Sequence, residues 1–149
     1  MSYLVFFVSK FSYSMKQQII NPRKVYSIDT GFVNANSASF SDDYGQLFEN
    51  LVFLHLRRNY SDIFYFSEKG ECDFVVCQKG EVKCCIQACY ELNQDNLERE
   101  TKGLFEALDY FSLAEGSVVT WRQTDCITRN NKTIRIVPAH IFLTATNGY

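Results

Sequence analysis

Three apolar runs in the middle of the chain, 62–67, 72–77 and 82–90, are separated by Lys69-Gly70 and Lys79-Gly80. Runs of this length cut by glycine-containing turns read as a β-meander, three antiparallel strands in chain order. The second run carries a misfit. Glu71-Cys72-Asp73-Phe74-Val75-Val76 places a carboxylate inside an otherwise apolar strand. Burying a carboxylate is costly unless a partner, a metal ion or a proton offsets it. The third run carries a lone amide, Gln87, in Cys84-Cys85-Ile86-Gln87-Ala88-Cys89-Tyr90.

The flanking segments supply the other layers. Residues 3–8 read as a strand, Lys10 to Gln18 show no decisive pattern, and Asn21-Pro22-Arg23 is a turn signal. Residues 24–29 read as a strand closed by Thr30-Gly31, and the small polar residues 34–41 as a loop. A helix is predicted over 42–59, with Ser41 as N-cap, Asp42 and Asp43 at the positive end of its dipole, and Arg57 and Arg58 in its last turn. Leu47, Phe48, Leu51, Leu54 and His55 recur at helical spacing, while Val52, Phe53 and Leu56 make the opposite side apolar, so packing on both sides is expected. A second helix over 94–112 lines up Leu97, Leu104, Leu108 and Phe111, with Glu98, Glu100 and Lys102 toward water. Strands are expected at 117–121 and 133–137, the latter stopped by Pro138. Helix, meander, helix, strand is an α/β sandwich: a mixed central sheet flanked by helices 42–59 and 94–112.

The 149 residues suit one domain with a real core, 1–149 without a linker, and an apolar share of 46% argues against disorder. A net charge of -2 lacks the basic excess of a dedicated DNA-binding domain. Six cysteines form no Cys-x-x-Cys pair. Most sit among apolar neighbours and read as buried thiols in a reducing, cytoplasmic compartment rather than as zinc ligands or disulfides. His55 and His140 read as structural. No apolar stretch reaches the ~20 residues of a membrane span. The apolar start lacks a basic n-region and a cleavage site, so it reads as a strand inside a longer protein rather than as a signal peptide.

Glu49 lies in the first helix in one row with Gly45, Val52 and Phe53. By alternation Asp73 shares a face with Val75 and Cys77, and Gln87 with Cys85 and Cys89. Asp73 meets Gln87 only in an odd register, which a three-residue loop Lys79-Gly80-Glu81 provides. A two-residue loop without a bulge would set Asp73 opposite Ile86. Structural readings stand beside the functional ones: Glu49 pairing with an arginine or capping a loop, Asp73 as a hydrogen-bonding carboxylate, Gln87 as a satisfied core amide.

Four segments occur in order: Lys-Val-Tyr-Ser-Ile-Asp-Thr-Gly (24–31), Gly-Gln-Leu-Phe-Glu-Asn-Leu-Val (45–52), Glu-Cys-Asp-Phe-Val-Val (71–76) and Ile-Gln-Ala-Cys-Tyr-Glu-Leu (86–92). Singly they are weak; four in order are specific. From about Phe11 to about Leu143 the chain resembles the C-terminal PD-(D/E)XK nuclease-like domain of prokaryotic AAA-type ATPases. The resemblance implies a restriction-endonuclease-like fold and an upstream ATPase module as partner. Nucleic acid is the implied substrate, and no membrane is expected. It also implies that Glu49, Asp73 and Gln87 hold Mg²⁺ for phosphodiester hydrolysis. Two positions depart from the pattern. Cys89 stands where the motif has a lysine, and Gln87 offers a neutral oxygen where a carboxylate is usual. Lys83, on the Gln87 face, is a distant substitute. The alternative is a catalytically degenerate module that docks the ATPase or nucleic acid without cutting. No Gly-x-x-x-x-Gly-Lys-Ser/Thr loop occurs, so no ATP site is expected in this chain.

Overall fold

A computed structural model describes residues 5–29 and 43–145. Residues 3 and 4 of the first expected strand, Thr30-Gly31, the 34–41 loop, Ser41 and Asp42 lie outside the described residues.

The elements run β1 (Val5–Ser9), α1 (Met15–Ile20), β2 (Arg23–Ser27), α2 (Asp43–Asn59), β3 (Asp62–Ser67), β4 (Glu71–Gln78), β5 (Glu81–Ala88), α3 (Leu97–Tyr110), β6 (Glu115–Thr120), β7 (Asp125–Arg129), β8 (Lys132–Pro138) and α4 (Ala139–Phe142). β1 and β2 pair antiparallel as a two-stranded sheet, and the other six strands form a sheet in the order β3-β4-β5-β6-β8-β7. β3, β4 and β5 form the expected antiparallel meander, and β5–β6 and β6–β8 are parallel. Parallel neighbours need a crossover, and α3 is the one between β5 and β6. The architecture is therefore the expected α/β one, a mixed central sheet flanked by helices and compatible with the restriction-endonuclease-like type.

Side-chain alternation divides the core in two. Phe74, Val76, Cys84 and Ile86 join Phe48, Val52, Phe53 and Leu56 of α2. Val75, Cys77 and Cys85 join Leu104, Ala107 and Leu108 of α3. Each strand of the hairpin is thus apolar on both faces, as a strand covered on both sides must be. On α2 the fully buried side is Phe48, Val52, Phe53 and Leu56, while Leu47, Leu51, Leu54 and His55 are only half-buried.

The unassigned 10–18 stretch holds the start of α1, which Ser14 caps by accepting from the Gln17 N–H. β7 also escaped sequence reading, because its residues Asp125-Cys126-Ile127-Thr128-Arg129 form an exposed edge with one partly buried side chain and no apolar run.

Two bulges correct the expected hairpin geometry. The loop is the two-residue Lys79-Gly80 turn, with Gln78 opposite Glu81 and φ of 54° and 78° at the turn residues. Positive φ at both positions suits the twist of a hairpin turn. The register then shifts between Val76 and Cys77. Cys77 faces Val82 and Val76 faces Cys84, so Lys83 is the extra residue. Phe74 consequently pairs with Ile86, the odd register that a three-residue loop was expected to supply. A second shift sets Asp73 and Phe74 together against Tyr65, between the pairs Phe64–Val75 and Phe66–Cys72. This bulge breaks the alternation that would have put Asp73 on the Val75 and Cys77 face.

Candidate functional site

Beyond the Phe74–Ile86 pair, side chains take over the β4–β5 ladder. The Asp73 N–H donates to Gln87 Oε1 at 2.9 Å, and the Ala88 N–H donates to Asp73 Oδ2 at 3.0 Å. The bulge aims the Asp73 carboxylate at Lys24 Nζ, 3.0 Å from Oδ1. Lys24 comes from β2, where it shares an inward face with Tyr26 by alternation. Its ammonium also lies 2.6 Å from Glu71 and 3.4 Å from Glu49 of α2, and it sits over the Tyr65 ring. Tyr26 donates its hydroxyl to Glu49 Oε1 at 2.6 Å.

Three carboxylates therefore share one ammonium. Burial works against the charged form of Lys24, but Asp73, Glu49 and Glu71 outweigh it and raise its pKa, so the amine stays protonated. Asp73 is pushed up to about 7, first by burial and then by Glu49; Lys24 and the Ala88 N–H only partly offset this. Burial, reinforced by Glu49, likewise raises the Tyr26 phenol and keeps it a donor.

The cleft over this cluster has a volume of about 830 Å³, and Glu49, Asp73, Gln87 and Cys89 all line it. The structure thus brings the sequence-derived residues together, but through different contacts from those expected. Glu49 pairs with a lysine and a tyrosine rather than with an arginine. Gln87 commits its oxygen to a backbone N–H and donates Nε2 to Glu100 at 2.8 Å. Glu100, expected to face water, instead turns from α3 into the cleft, where Arg99 also reaches it at 2.9 Å. Cys89 is pushed up to about 12 by burial and by Glu100, so its thiol is neutral. Lys83 is no substitute for a lysine at that position, because the bulge leaves it exposed and paired with Glu81.

Among the described residues, no group of three or more His, Cys, Asp or Glu side chains is arranged to hold a metal ion. The oxygens that Glu49, Asp73 and Gln87 turn toward their shared neighbourhood are already engaged. Gln87 Oε1 and Asp73 Oδ2 face N–H groups, and the other Asp73 oxygen and Glu49 Oε1 face an ammonium.

Sequence reasoning missed Lys24, Tyr26 and Glu100. Lys24 stands in the first of the four motif segments, which was the one signal available. Alternation along β2 puts Lys24 on one face with the buried Tyr26 and leaves Val25 exposed on the other, but it does not say which face meets the acids.

No family profile matches the chain, and no solved structure does. The chain is similar to an uncharacterised protein of Methanocaldococcus jannaschii, 45% identical over 112 residues, which cover 72% of this chain and 24% of the relative. It thus spans about a quarter of the length of the curated relative it matches.

Proposed function

We propose that this chain is a nuclease-like accessory domain, the C-terminal part of a larger AAA-type ATPase, whose cleft binds without cutting. The observation that carries this reading is Lys24 Nζ among Glu49, Glu71 and Asp73. An ammonium supplies the positive charge that Mg²⁺ would supply in a cleaving site, but it cannot bind and activate a water as a metal ion does. Position 89 adds support: a neutral thiol cannot stabilise the charge of a pentacoordinate phosphorus as a lysine would. The length of the archaeal relative leaves room for an ATPase module, the expected partner. Buried thiols at Cys72, Cys77, Cys84 and Cys85 support a reducing, cytoplasmic setting. Among the described residues no helix is long and apolar enough to cross a membrane.

A metal-dependent hydrolase remains the second reading, because carboxylates from α2 and β4 do converge on one point. Thermal melts with and without Mn²⁺ or Mg²⁺ separate the two. With Lys24 acting as the cation, the wild type shows no metal-dependent rise, Lys24→Met acquires one, and a single-stranded or plasmid substrate stays intact. A rise of several degrees in the wild type that Asp73→Asn abolishes, together with strand cleavage, would establish the hydrolase instead.

A further inference from the structure

Tyr44, Tyr90 and Trp121 form a ladder of rings at the mouth of the cleft. Tyr90 stacks on Trp121 with centroids 5.8 Å apart and planes 13° from parallel. Tyr44 lies 5.7 Å from Tyr90, tilted 37° to it. Phe48, buried in α2, meets both Tyr90 and Trp121 edge-on and fixes the ladder from beneath. Two rings keep open surface: Tyr44 is 59% exposed and Trp121 41%. Tyr44 and Tyr90 line the large cleft, while Tyr90 and Trp121 line a smaller hollow of about 240 Å³ beside it. The ladder therefore leads out of the cleft rather than closing a core.

We propose that this ladder is a stacking platform for the unpaired bases of a single-stranded nucleic acid. The proposal rests on the reading of the cleft as a binding site and names its ligand. Four points carry it. Open aromatic rings held rigidly from below accept bases of any identity, because every base has a π-face. Bases paired within a duplex are already stacked and present no free face to a ring. Cations share the two hollows with the rings: Arg122 lines the one beside Trp121, and Lys69 and Lys102 line the cleft. None of these three side chains forms an ion pair among the described residues, so each is available to a phosphate.

Acidic groups also line the cleft, Glu71 and Glu91 among them, and the net charge is -2. Stacking rather than phosphate neutralisation must then carry the affinity, so its salt dependence should be shallow.

Trp121 is the only tryptophan of the chain and reports directly on the platform. The intact protein is titrated with oligo(dT) and oligo(U) strands of about ten nucleotides and with a duplex of the same length. Either single strand should quench the fluorescence at high as well as low salt, and the duplex should bind far more weakly. A response to only one of the strands supports the platform equally and shows that the sugar or the thymine methyl is read as well. Tyr44→Ala, at an exposed position that the fold does not need, should weaken binding of a labelled strand by about fivefold or more. Tyr44→Phe, which keeps the ring, should restore most of it.

The absence of quenching by both single strands, as a surface reserved for a protein partner would give, overturns the proposal. So does equal affinity for the duplex, or binding that salt abolishes and Tyr44→Ala leaves alone. Cleavage of a bound strand in Mn²⁺ would leave the platform standing and overturn only the non-cleaving reading. A flat metal response without quenching would do the reverse.

Discussion

At the scale of single residues, the site is an exercise in charge balance. Lys24 offers one positive charge to three carboxylates, and Asp73 is almost wholly buried. An unfolded aspartate titrates near ~4. In the folded chain Asp73 is pushed up to about 7, so between these values the folded state holds a proton that the unfolded state has released. The Asp73 contribution to stability is therefore complete below the unfolded value, is lost as pH rises toward about 7, and changes no further above it. Asn at this position does not titrate. The advantage of the wild type over Asp73→Asn should shrink by on the order of a few kcal/mol between about pH 5 and pH 8. Thermal melts at stepped pH measure it, and a difference constant across that range would mean that Asp73 stays ionised throughout. Lys24 adds no slope in that window, because its raised pKa keeps it charged in both states below the ordinary lysine range. Asn50 shows the same economy in neutral form. Buried in α2, it accepts from the Ser27 N–H at 2.7 Å and donates to the Ser27 carbonyl at 2.9 Å, standing in for a neighbouring strand at the end of β2.

At the scale of elements, small departures from regularity aim the side chains. The Lys83 bulge restores the register that a two-residue turn would otherwise have lost, and the Asp73–Phe74 bulge turns a carboxylate toward α2 and β2. The turn itself can be improved. Lys79 holds a φ of 54°, which asparagine tolerates better than lysine because its short polar side chain can bond locally. Lys79→Asn should therefore raise stability by about 0.5–1 kcal/mol, read as a higher denaturant midpoint at unchanged slope. An unchanged or lower midpoint would mean that the lysine makes a compensating contact in the folded chain. α3 is set against β4 by a close approach at Gly103, where an added Cβ would run into the Glu71 carbonyl. Glu106 completes the docking by accepting from the Lys69 and Gly70 N–H groups. This fit brings Glu100, one turn earlier on α3, to Gln87.

Across the whole molecule, stability is unevenly distributed. β4, β5 and β6 lie inside the sheet with apolar cores on both faces. By contrast α1 buries no residue and leaves Met15, Ile19 and Ile20 exposed. The β1–β2 sheet joins the main body through a Lys10–Tyr65 bridge and the side chains of Val8, Lys24 and Tyr26. Amide hydrogen exchange should therefore show α1 exchanging at near-unprotected rates while β4 to β6 exchange only on global unfolding. Protection of α1 comparable to that of β5 would contradict this gradient. The same distribution matters for function. Lys24, the cation of the site, is carried by the smaller sheet, so loosening of that sheet would expose three carboxylates at once.

The meander, the two large helices, the two apolar strands after them, and Glu49 and Asp73 as the acids worth watching are all legible in the sequence. Local pattern suffices there, since an apolar run cut by glycine turns, or an acid among valines, is visible within a few residues. Tertiary structure alone decided which cation those acids would meet. Lys24 stands 49 positions from Asp73, on a strand of a different sheet. Gln87 likewise became a backbone partner only because two bulges set its oxygen on the Asp73 N–H and the packing of α3 set Glu100 on its nitrogen. Charges separated by tens of residues acquire partners from the way layers pack, and that geometry is not written in any short stretch of chain.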